Sequence, residues 1–318
     1  MLLEDALSMI SNTLGTKIAG LVSESGVSDV LINGYSQVWA QIGDGSLRPL
    51  DSPFESEAEI AEIAQGLISA GGRRLDQSNP FADVAIGGFR VHVALASGCS
   101  RKTYISIRSH NGRLFGLAQL AGLGMFDQLG CHDAALSFLQ GVVRRRENFL
   151  ISGPTGGGKT SLLRAMLAEC SSDRVIAVED VAELAIESPT FVALQTREPN
   201  IEGKGEIGLG RLVREALRMR PDRLAVGEIR GAELMVILQA LNTGHRGAGA
   251  TIHANSIEST VTRLEMIAFA EGMSAQQLAN AASAAFNWVL YVEGKKLVAV
   301  GRLCLSGSGL QVQPVSID

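Results

Sequence analysis

One stretch of eight residues, from Gly153 to Thr160, constrains the fold of this chain more than any other. It reads Gly-Pro-Thr-Gly-Gly-Gly-Lys-Thr and fits the phosphate-binding pattern G-x-x-x-x-G-K-[ST] at every fixed position. Residues 147–152 predict a short buried strand before it, and residues 161–167 predict a helix after it. The alternative is a glycine-rich turn that binds nothing, and the strand–loop–helix order argues against that alternative.

The motif predicts a site for ATP and Mg²⁺. Glycines let backbone N–H groups come close enough to wrap a phosphate, and the N-terminus of the following helix favours an anion. In this setting the Lys159 ammonium reaches the β- and γ-phosphates, and the Thr160 hydroxyl ligates Mg²⁺. The predicted cofactor-binding residues of the loop are Gly153, Pro154, Thr155, Gly156, Gly157, Gly158, Lys159, Thr160 and Ser161.

Length and composition predict a globular protein of two domains. The chain has 318 residues, of which 46% are hydrophobic and 19% charged, so a sizeable core is expected. Its net charge of −5 disfavours a general nucleic-acid-coating role. The four cysteines form no C-x-x-C pair, which favours a reducing compartment over a disulfide or metal framework. No apolar run approaches the ~20 residues needed to span a bilayer, so we expect membrane contact only through a partner.

The N-terminal part of the chain has the pattern of an α+β domain, which we place at residues 1–110. Apolar spacing predicts helices over residues 1–25 and 55–70. Strands are predicted over residues 27–32, 37–42, 81–86, 89–95 and 103–107, with turn signals between them. Glycines recur among leucines over residues 111–133, and this predicts a linker between two lobes. A segment that packs on one lobe is the alternative.

Residues 134–318 alternate between predicted strands and helices, as an α/β domain does. Strands are predicted over residues 174–178, 191–196, 223–226, 248–253, 288–292, 296–303 and 310–315, and helices over residues 134–145, 209–219, 232–242, 258–271 and 274–285. This order predicts a mainly parallel sheet with helices on both faces. Ligands of such sheets bind at the carboxyl ends of the strands, so we expect the catalytic candidates to lie there.

Acidic residues follow two of the predicted strands. Glu228 follows residues 223–226, and we assign it as the acid that organises Mg²⁺ together with Thr160. Glu179 and Glu183 follow residues 174–178, and either is a candidate to polarise the attacking water. Gly227 stands where many phosphate-loop ATPases place Asp, so Mg²⁺ would depend more on Thr160 and water. A single such acid is commonly a solvated turn residue, but two strand-end acids after a phosphate loop favour catalysis.

Two histidines and an arginine cluster complete the catalytic candidates. His245 and His253 flank the predicted strand over residues 248–253, and we interpret them as sensors of the γ-phosphate; metal ligation is a minor alternative, because zinc would need a third ligand nearby. Arginines could form a solvated helix face or stabilise charge on the γ-phosphoryl group. They occur at positions 211, 214, 218, 220, 223 and 230, of which Arg230, beside Glu228, is our catalytic candidate.

Several runs of residues together resemble the type II/IV secretion and pilus-assembly ATPases. Val178–Leu184 is similar to that family's Asp box, and Thr243–Asn255 to its His box. Gln195–Gly231 and, in outline, the segments around Asn33, Arg73 and Arg108 match as well. The resemblance covers nearly the whole chain. The run Leu217–Arg223 and the run Asn200–Glu206 are most similar to the CpaF/TadA branch, the ATPases of Tad (Flp) pili, and to their relatives in conjugative type IV secretion.

The resemblance implies a PAS-like N-terminal domain, a RecA-like P-loop C-terminal domain and a homo-hexameric ring. It also implies a cytoplasmic location on the inner membrane, reached through a platform protein and without a membrane span of its own. By the same resemblance Arg90 and Arg108 of the N-terminal domain contact nucleotide, and Arg197 falls in a segment near the phosphates. Which arginines act on a neighbouring subunit is left open.

Four functions are compared with these observations. The leading hypothesis is a hexameric ATPase that powers Tad (Flp) pilus assembly or secretion, and the alternative within the family is a conjugative type IV secretion or DNA-transfer ATPase. A motor that acts directly on nucleic acid is disfavoured by the acidic balance and by the lack of a basic stripe with interleaved aromatic residues. A scaffold that binds ATP without hydrolysis is disfavoured by the complete Asp and His boxes.

Overall fold

The computed structural model describes residues 15–23, 26–42, 46–86, 88–109, 115–170, 172–197, 199, 204–307 and 309–317. The chain forms two compact units, Met1–Arg113 and Leu114–Asp318. Parts of three predictions lie outside the described residues: the helix over residues 1–14, the turn at residues 43–45 and the start of the linker at residues 111–114.

The N-terminal unit is a six-stranded antiparallel sheet with two helices. Its elements are α1 (Thr16–Val22), β1 (Val27–Asn33), β2 (Val38–Ile42), β3 (Leu47–Leu50), α2 (Glu57–Ala70), β4 (Phe81–Ile86), β5 (Phe89–Ala94) and β6 (Tyr104–Ser109). The strand order is β3-β2-β1-β6-β5-β4, and every neighbouring pair is antiparallel. The α+β pattern expected for this region is therefore confirmed.

One face of this sheet is apolar and the other is polar, because side chains alternate along each strand. Val91 and Val93 are buried in a cluster with Ile18 of α1 and Ile60 of α2. Arg90 and His92, which alternate with these valines along β5, lie on the opposite face. The helices therefore cover a single face of the N-terminal sheet.

The C-terminal unit contains an eight-stranded sheet of order β14-β13-β12-β7-β11-β10-β8-β9. Its strands are β7 (Phe149–Gly153), β8 (Val175–Glu179), β9 (Val192–Gln195), β10 (Arg223–Ile229), β11 (Gly249–His253), β12 (Trp288–Glu293), β13 (Lys296–Ser306) and β14 (Gly309–Pro314). Its helices are α3 (Leu117–Gly122), α4 (His132–Arg144), α5 (Lys159–Ala168), α6 (Leu209–Arg218), α7 (Glu233–Asn242), α8 (Ser259–Ala270) and α9 (Ala275–Ala285).

The predicted α/β architecture of this unit is confirmed. Strands β12, β7, β11, β10, β8 and β9 are parallel, and β13 and β14 extend the sheet in antiparallel pairs. Helices α3, α4 and α5 contribute to the buried cluster on one face of the sheet, whereas α6, α7, α8 and α9 contribute to the cluster on the other. None of the described helices is both long enough and apolar enough to span a bilayer.

Residues 115–133, within the segment predicted as a linker, pack on the C-terminal unit. Leu117, Leu120 and Phe126 are buried in the same cluster as the strand before the phosphate loop. The backbone N–H of Leu297 donates to the Met125 carbonyl at 2.7 Å. These described residues therefore correspond to the alternative that the sequence left open, a segment packed on one lobe.

The parallel strands of the C-terminal unit all begin on one side of the sheet and end on the other. Phe149 pairs with Gly249 at the start of β7 and β11, and Gly153 pairs with His253 at their ends. We call the side where these strands end the carboxyl edge, and the side where they begin the amino edge. A residue that follows a strand therefore lies far from one that precedes the same strand.

Candidate nucleotide site

The phosphate-binding motif lies at the carboxyl edge of the C-terminal sheet. Strand β7 is fully buried and ends at Gly153, and α5 begins at Lys159, so the predicted strand–loop–helix order is confirmed. Gly156 and Gly158 have φ angles of 72° and 101°, which side chains with a Cβ rarely adopt. The loop therefore needs glycine at these positions to turn into the helix.

The hairpin between β12 and β13 supports this loop from behind. A Cβ placed on Gly153 would lie 2.0 Å from the Val292 carbonyl oxygen, and a Cβ on Gly157 would lie 3.1 Å from the same atom. The backbone N–H of Lys295 donates to the Gly157 carbonyl at 3.1 Å. Close backbone packing therefore requires glycine here. The sequence gave no signal of this contact, because the hairpin lies about 140 residues beyond the loop.

Lys159 carries its charge into the loop itself. Its ammonium donates to the carbonyl oxygens of Gly153 and Pro154, both at 2.9 Å. Half-burial lowers the pKa of Lys159, and the nearby carboxylates of Glu228 and Glu183 act in the opposite direction. Both acids are thus close enough to act electrostatically on the lysine that defines the phosphate loop.

His253, the last residue of β11, contacts the loop directly. Its Nε2 lies 2.5 Å from the Thr155 hydroxyl oxygen. Desolvation, and next the positive charge of Lys159, lower the pKa of His253 below its usual value, which favours the neutral ring. The hydrogen bond between this imidazole and the Thr155 hydroxyl couples His253 to the conformation of the loop.

Glu179 points into the protein. Its carboxyl group is 3% exposed and accepts hydrogen bonds from the backbone N–H groups of Glu183 and Leu184, at 3.0 Å from Oε1 in both cases. Burial raises the pKa of Glu179 to about 7, and these two N–H groups oppose the rise. Glu179 therefore fixes the segment that carries Glu183, which is one of the two acids whose charge acts on Lys159.

The packing of Glu179 explains the glycine that the sequence places before Glu228. A Cβ added to Gly227 would lie 2.9 Å from the Cγ atom of Glu179. The space that an aspartate side chain would need at this position is thus filled by Glu179. The carboxyl group buried beside Gly227 therefore belongs to Glu179 of β8, and β10 contributes a glycine at this point.

Glu228 and Arg230 form an ion pair at the end of β10. The Glu228 Oε2 atom accepts from Arg230 Nε at 2.9 Å and from Nη2 at 2.5 Å, and Arg230 Nη1 lies 3.4 Å from Asp180. The Thr251 hydroxyl donates to the Gly227 carbonyl at 2.5 Å and ties β11 to this strand. Arg230 is thus a cation held beside Glu228, on the edge that carries Lys159.

Two further candidates lie away from Lys159. The expectation that every catalytic candidate lies at the carboxyl edge is wrong for His245, which precedes β11 and lies at the amino edge, where its Nδ1 is 3.2 Å from the Ala240 carbonyl oxygen. Arg197 follows the outer strand β9, and its Nε donates to the Gly205 carbonyl at 2.8 Å. Within one chain, the structure brings neither side chain to the phosphate loop.

Arg90 and Arg108 are neighbours on the polar face of the N-terminal sheet. They are cross-strand partners on β5 and β6. Arg90 Nε lies 3.3 Å from an Asp83 carboxylate oxygen, and Arg108 Nε donates to Asp29 at 2.8 Å. Their contact with nucleotide stays a prediction from the resemblance.

The sequence profile of the type II/IV secretion system protein family matches residues 17–301. The chain belongs to this family. A putative conjugal transfer protein of Mycobacterium tuberculosis strain H37Rv is 41% identical over 280 residues, which cover 86% of this chain and 78% of that protein. The type IV secretion system protein VirB11 of Bartonella quintana is 26% identical, with 79% and 78% of the two chains covered.

A solved structure supports the fold of this secretion-family member. The pilus retraction motor PilT with bound ADP superposes with a TM-score of 0.59 at 21% identity, and the match covers 95% of this chain and 82% of that one. At this level of identity the likeness shows the fold. It agrees with the α/β architecture, in which a RecA-like unit follows a smaller N-terminal domain.

The secretion-family chain offers few ligands of its own for Mg²⁺. The described residues contain no cluster of three or more His, Cys, Asp or Glu side chains able to hold a metal. This fits Mg²⁺ in nucleotide sites, since that ion is commonly held by one or two protein groups together with phosphates and water. Thr160, at the start of α5, and Glu228 are the residues that would hold it.

The buried Glu179 predicts a pH-dependent stability of this family member. A carboxyl group whose folded pKa is raised from 4.5 to about 7 binds a proton more tightly in the folded state. Its stabilising effect is complete below pH 4.5 and is lost as the pH rises through 7, by up to about 3 kcal/mol. We expect Glu179→Gln to lose this dependence, as measured by urea unfolding from pH 5 to pH 8. Equal pH slopes for Glu179→Gln and wild type would contradict the assignment.

Proposed function

We propose that this chain is an ATP-hydrolysing motor of a conjugation-type type IV secretion apparatus. The observation that carries the proposal is the convergence on the carboxyl edge of the Lys159 ammonium, two carboxylates that act on it electrostatically and a histidine bonded to the loop. A charged phosphate loop beside strand-end acids is the arrangement that phosphoryl transfer to water requires.

Each residue has a proposed role in this reaction. The loop backbone and Lys159 bind the phosphates, and bound Mg²⁺ would neutralise charge on them. Glu228 and Thr160 are the proposed holders of that ion, and Glu183 is proposed to orient the attacking water. Glu179 supports Glu183 through its N–H, so we propose Glu179 as a positioning residue.

Two side chains are proposed to respond to the last phosphoryl group. His253 bonds to Thr155 of the loop, so a change in loop conformation alters its surroundings. Arg230 supplies positive charge, which is shared between Glu228 and Asp180 in this structure. Charge at such a position is worth about 10³–10⁵ in rate when it reaches the γ-phosphoryl oxygens.

The remaining assignments rest on the resemblance alone. Arg90, Arg108 and Arg197 are proposed to contact nucleotide. His245 is proposed to sense the γ-phosphate, although within one chain it lies at the amino edge and not at the phosphate loop. A homo-hexameric ring, a cytoplasmic location and a platform protein at the inner membrane are proposed on the same ground.

The names of the relatives favour conjugation over a pilus. The relative at 41% identity is named a putative conjugal transfer protein, and VirB11 is named for type IV secretion. Tad (Flp) pilus assembly is the second candidate, favoured by the similarity of the runs Leu217–Arg223 and Asn200–Glu206 to that branch. Neighbouring genes would separate the two, since prepilin genes favour a pilus and conjugation genes favour transfer.

A phosphate-release assay tests the proposed activity. We expect the purified chain to hydrolyse ATP only when Mg²⁺ is present. Nucleotide binding without phosphate release would favour a scaffold in place of a motor. Salt-sensitive DNA binding that stimulates hydrolysis would favour a motor that acts directly on nucleic acid.

A further inference from the structure

The amino edge of the C-terminal sheet, opposite the nucleotide site, concentrates arginine. Six arginines stand just before β7, β8, β10 and β11, one at the end of α4 and five in the loops, and we call them the basic edge: Arg144, Arg145, Arg146, Arg174, Arg220 and Arg246. All except Arg174 are exposed. Because these strands are parallel, the four loops meet on one side of the molecule.

Contacts between the loops confirm that the basic edge is one surface. Arg146 Nη2 and the buried Arg223 Nε each lie 2.6 Å from an oxygen of Asp173. A Cβ on Gly247, next to Arg246, would lie 3.4 Å from the Cβ of Arg146. Arg174 Nε donates to the Met219 carbonyl at 3.1 Å, which places it beside Arg220.

This surface is positive although the whole chain is not. The acids around it are Glu147, Glu169, Asp173 and Asp222, fewer than its arginines, whereas the chain has a net charge of −5. Within the described part of the chain, the side chains of Arg144, Arg220 and Arg246 make no hydrogen bond or ion pair. These three guanidinium groups are therefore available to a partner.

Two of these arginines adopt a backbone conformation that disfavours them. Arg146 and Arg220 have φ angles of 54° and 58°, and each follows the end of a helix, where glycine is the usual residue. The Glu147 N–H donates to the Val142 carbonyl and closes the turn around Arg146. A charged side chain at a strained position is an observation from which a functional role can be inferred.

We propose that the basic edge binds an acidic segment of a partner protein. The bound carboxylates would pair with the guanidinium forks of Arg144, Arg220 and Arg246. The acids between the arginines, such as Asp173, would repel a continuous row of phosphates but tolerate a peptide of mixed charge. This surface lies at the opposite side of the sheet from Lys159, so binding there leaves the nucleotide site open.

Nucleic acid and membrane fit this surface less well. Base stacking needs exposed aromatic side chains, and insertion into a lipid surface needs exposed apolar ones. None of the large apolar side chains that the described residues expose belongs to the loops of the basic edge. Carboxylates on a protein are thus the anions that the surface matches best.

Fluorescence anisotropy tests the proposal on the full chain without nucleotide, with a labelled peptide of about ten residues in which glutamates are interspersed with serine and lysine. We expect salt-sensitive binding, and we expect the variant R144Q/R220Q/R246Q to bind about tenfold more weakly. The control variant R48Q/R74Q/R101Q makes the same change in net charge on exposed arginines of the N-terminal unit and should bind as wild type does. Because nucleotide is absent, a failure here is independent of the proposed ATPase activity.

Three results would overturn the proposal. Equal weakening in both triple variants would mean that only net charge matters. Tighter, variant-sensitive binding of an oligothymidylate or of phosphatidylglycerol vesicles would assign the surface to nucleic acid or to lipid. A change of oligomeric state in R144Q/R220Q/R246Q, measured by sedimentation, would assign it to contact between copies of this chain.

Discussion

Replacement of Lys159 by alanine is expected to abolish ATP hydrolysis. The Lys159 ammonium is the positive charge within the loop, and it donates to the carbonyls of Gly153 and Pro154 at 2.9 Å. Without it, the loop keeps only backbone N–H groups and the helix N-terminus to offset the charge that develops on the β- and γ-phosphates. Loss of one such preorganised group lowers kcat by about 10²–10³. A phosphate-release assay at saturating Mg²⁺ and ATP measures the loss.

The folded state should tolerate this change, which separates a lost function from a lost fold. Burial lowers the pKa of Lys159, so the folded protein disfavours its charge. The two carbonyls keep other donors, because Ala254 N–H bonds to Gly153 O and Gly157 N–H bonds to Pro154 O. We therefore expect Lys159→Ala to melt close to the wild-type temperature.

Lys102→Ala is the matched control for this prediction. It removes a lysine of the N-terminal unit, whereas the phosphate loop belongs to the C-terminal unit. Hydrolysis should stay at the wild-type rate in this variant. A Lys159→Ala protein that hydrolyses ATP as fast as Lys102→Ala does would remove the basis for the nucleotide site.

Local patterns were enough to predict most of the fold. The phosphate loop, the alternation of strands and helices and the two-part chain all follow from signals within about 15 residues of each other. The segment Leu117–Leu129 was harder, since its glycines suggest a linker while Leu117 and Phe126 are buried. Burial of a short amphipathic piece depends on a distant surface that no local pattern reveals.

The sequence predicted the position of a site residue correctly only where it was clear at which end of a strand the residue lies. His253 is the last residue of β11 and lies at the loop, whereas His245 precedes the same strand, whose length of about 13 Å separates the amino edge from the loop. Sequence proximity to a strand does not distinguish its two ends.

The orientation of Glu179 could not be predicted either. Strand alternation does not say whether the last side chain faces solvent or its own loop. Only the structure relates its buried carboxyl group to Gly227 and to the Glu183 N–H. The sequence therefore could not tell which of Glu179 and Glu183 is buried, because that depends on packing between residues far apart in the chain.

The Glu228→Gln protein is expected to bind ATP and to hydrolyse it very slowly. Glutamine keeps the shape of Glu228 and can still accept a hydrogen bond from Arg230. It loses the negative charge that would help to hold Mg²⁺ and polarise water, and loss of such a group lowers the rate by about 10²–10⁴. Binding should be equal or tighter, because one negative charge that acts on Lys159 and repels phosphate is gone.

Two measurements on the same protein separate these effects. Titration with a fluorescent ATP analogue gives the affinity, and phosphate release gives the rate. Glu187→Gln is the matched control, since Glu187 is an exposed acid further along the loop after β8 and should change neither quantity. If Glu228→Gln instead loses affinity and rate together, Glu228 is needed to shape the site. If it keeps both, the acid that acts on the last phosphate must be sought at Glu183, whose charge also acts on Lys159.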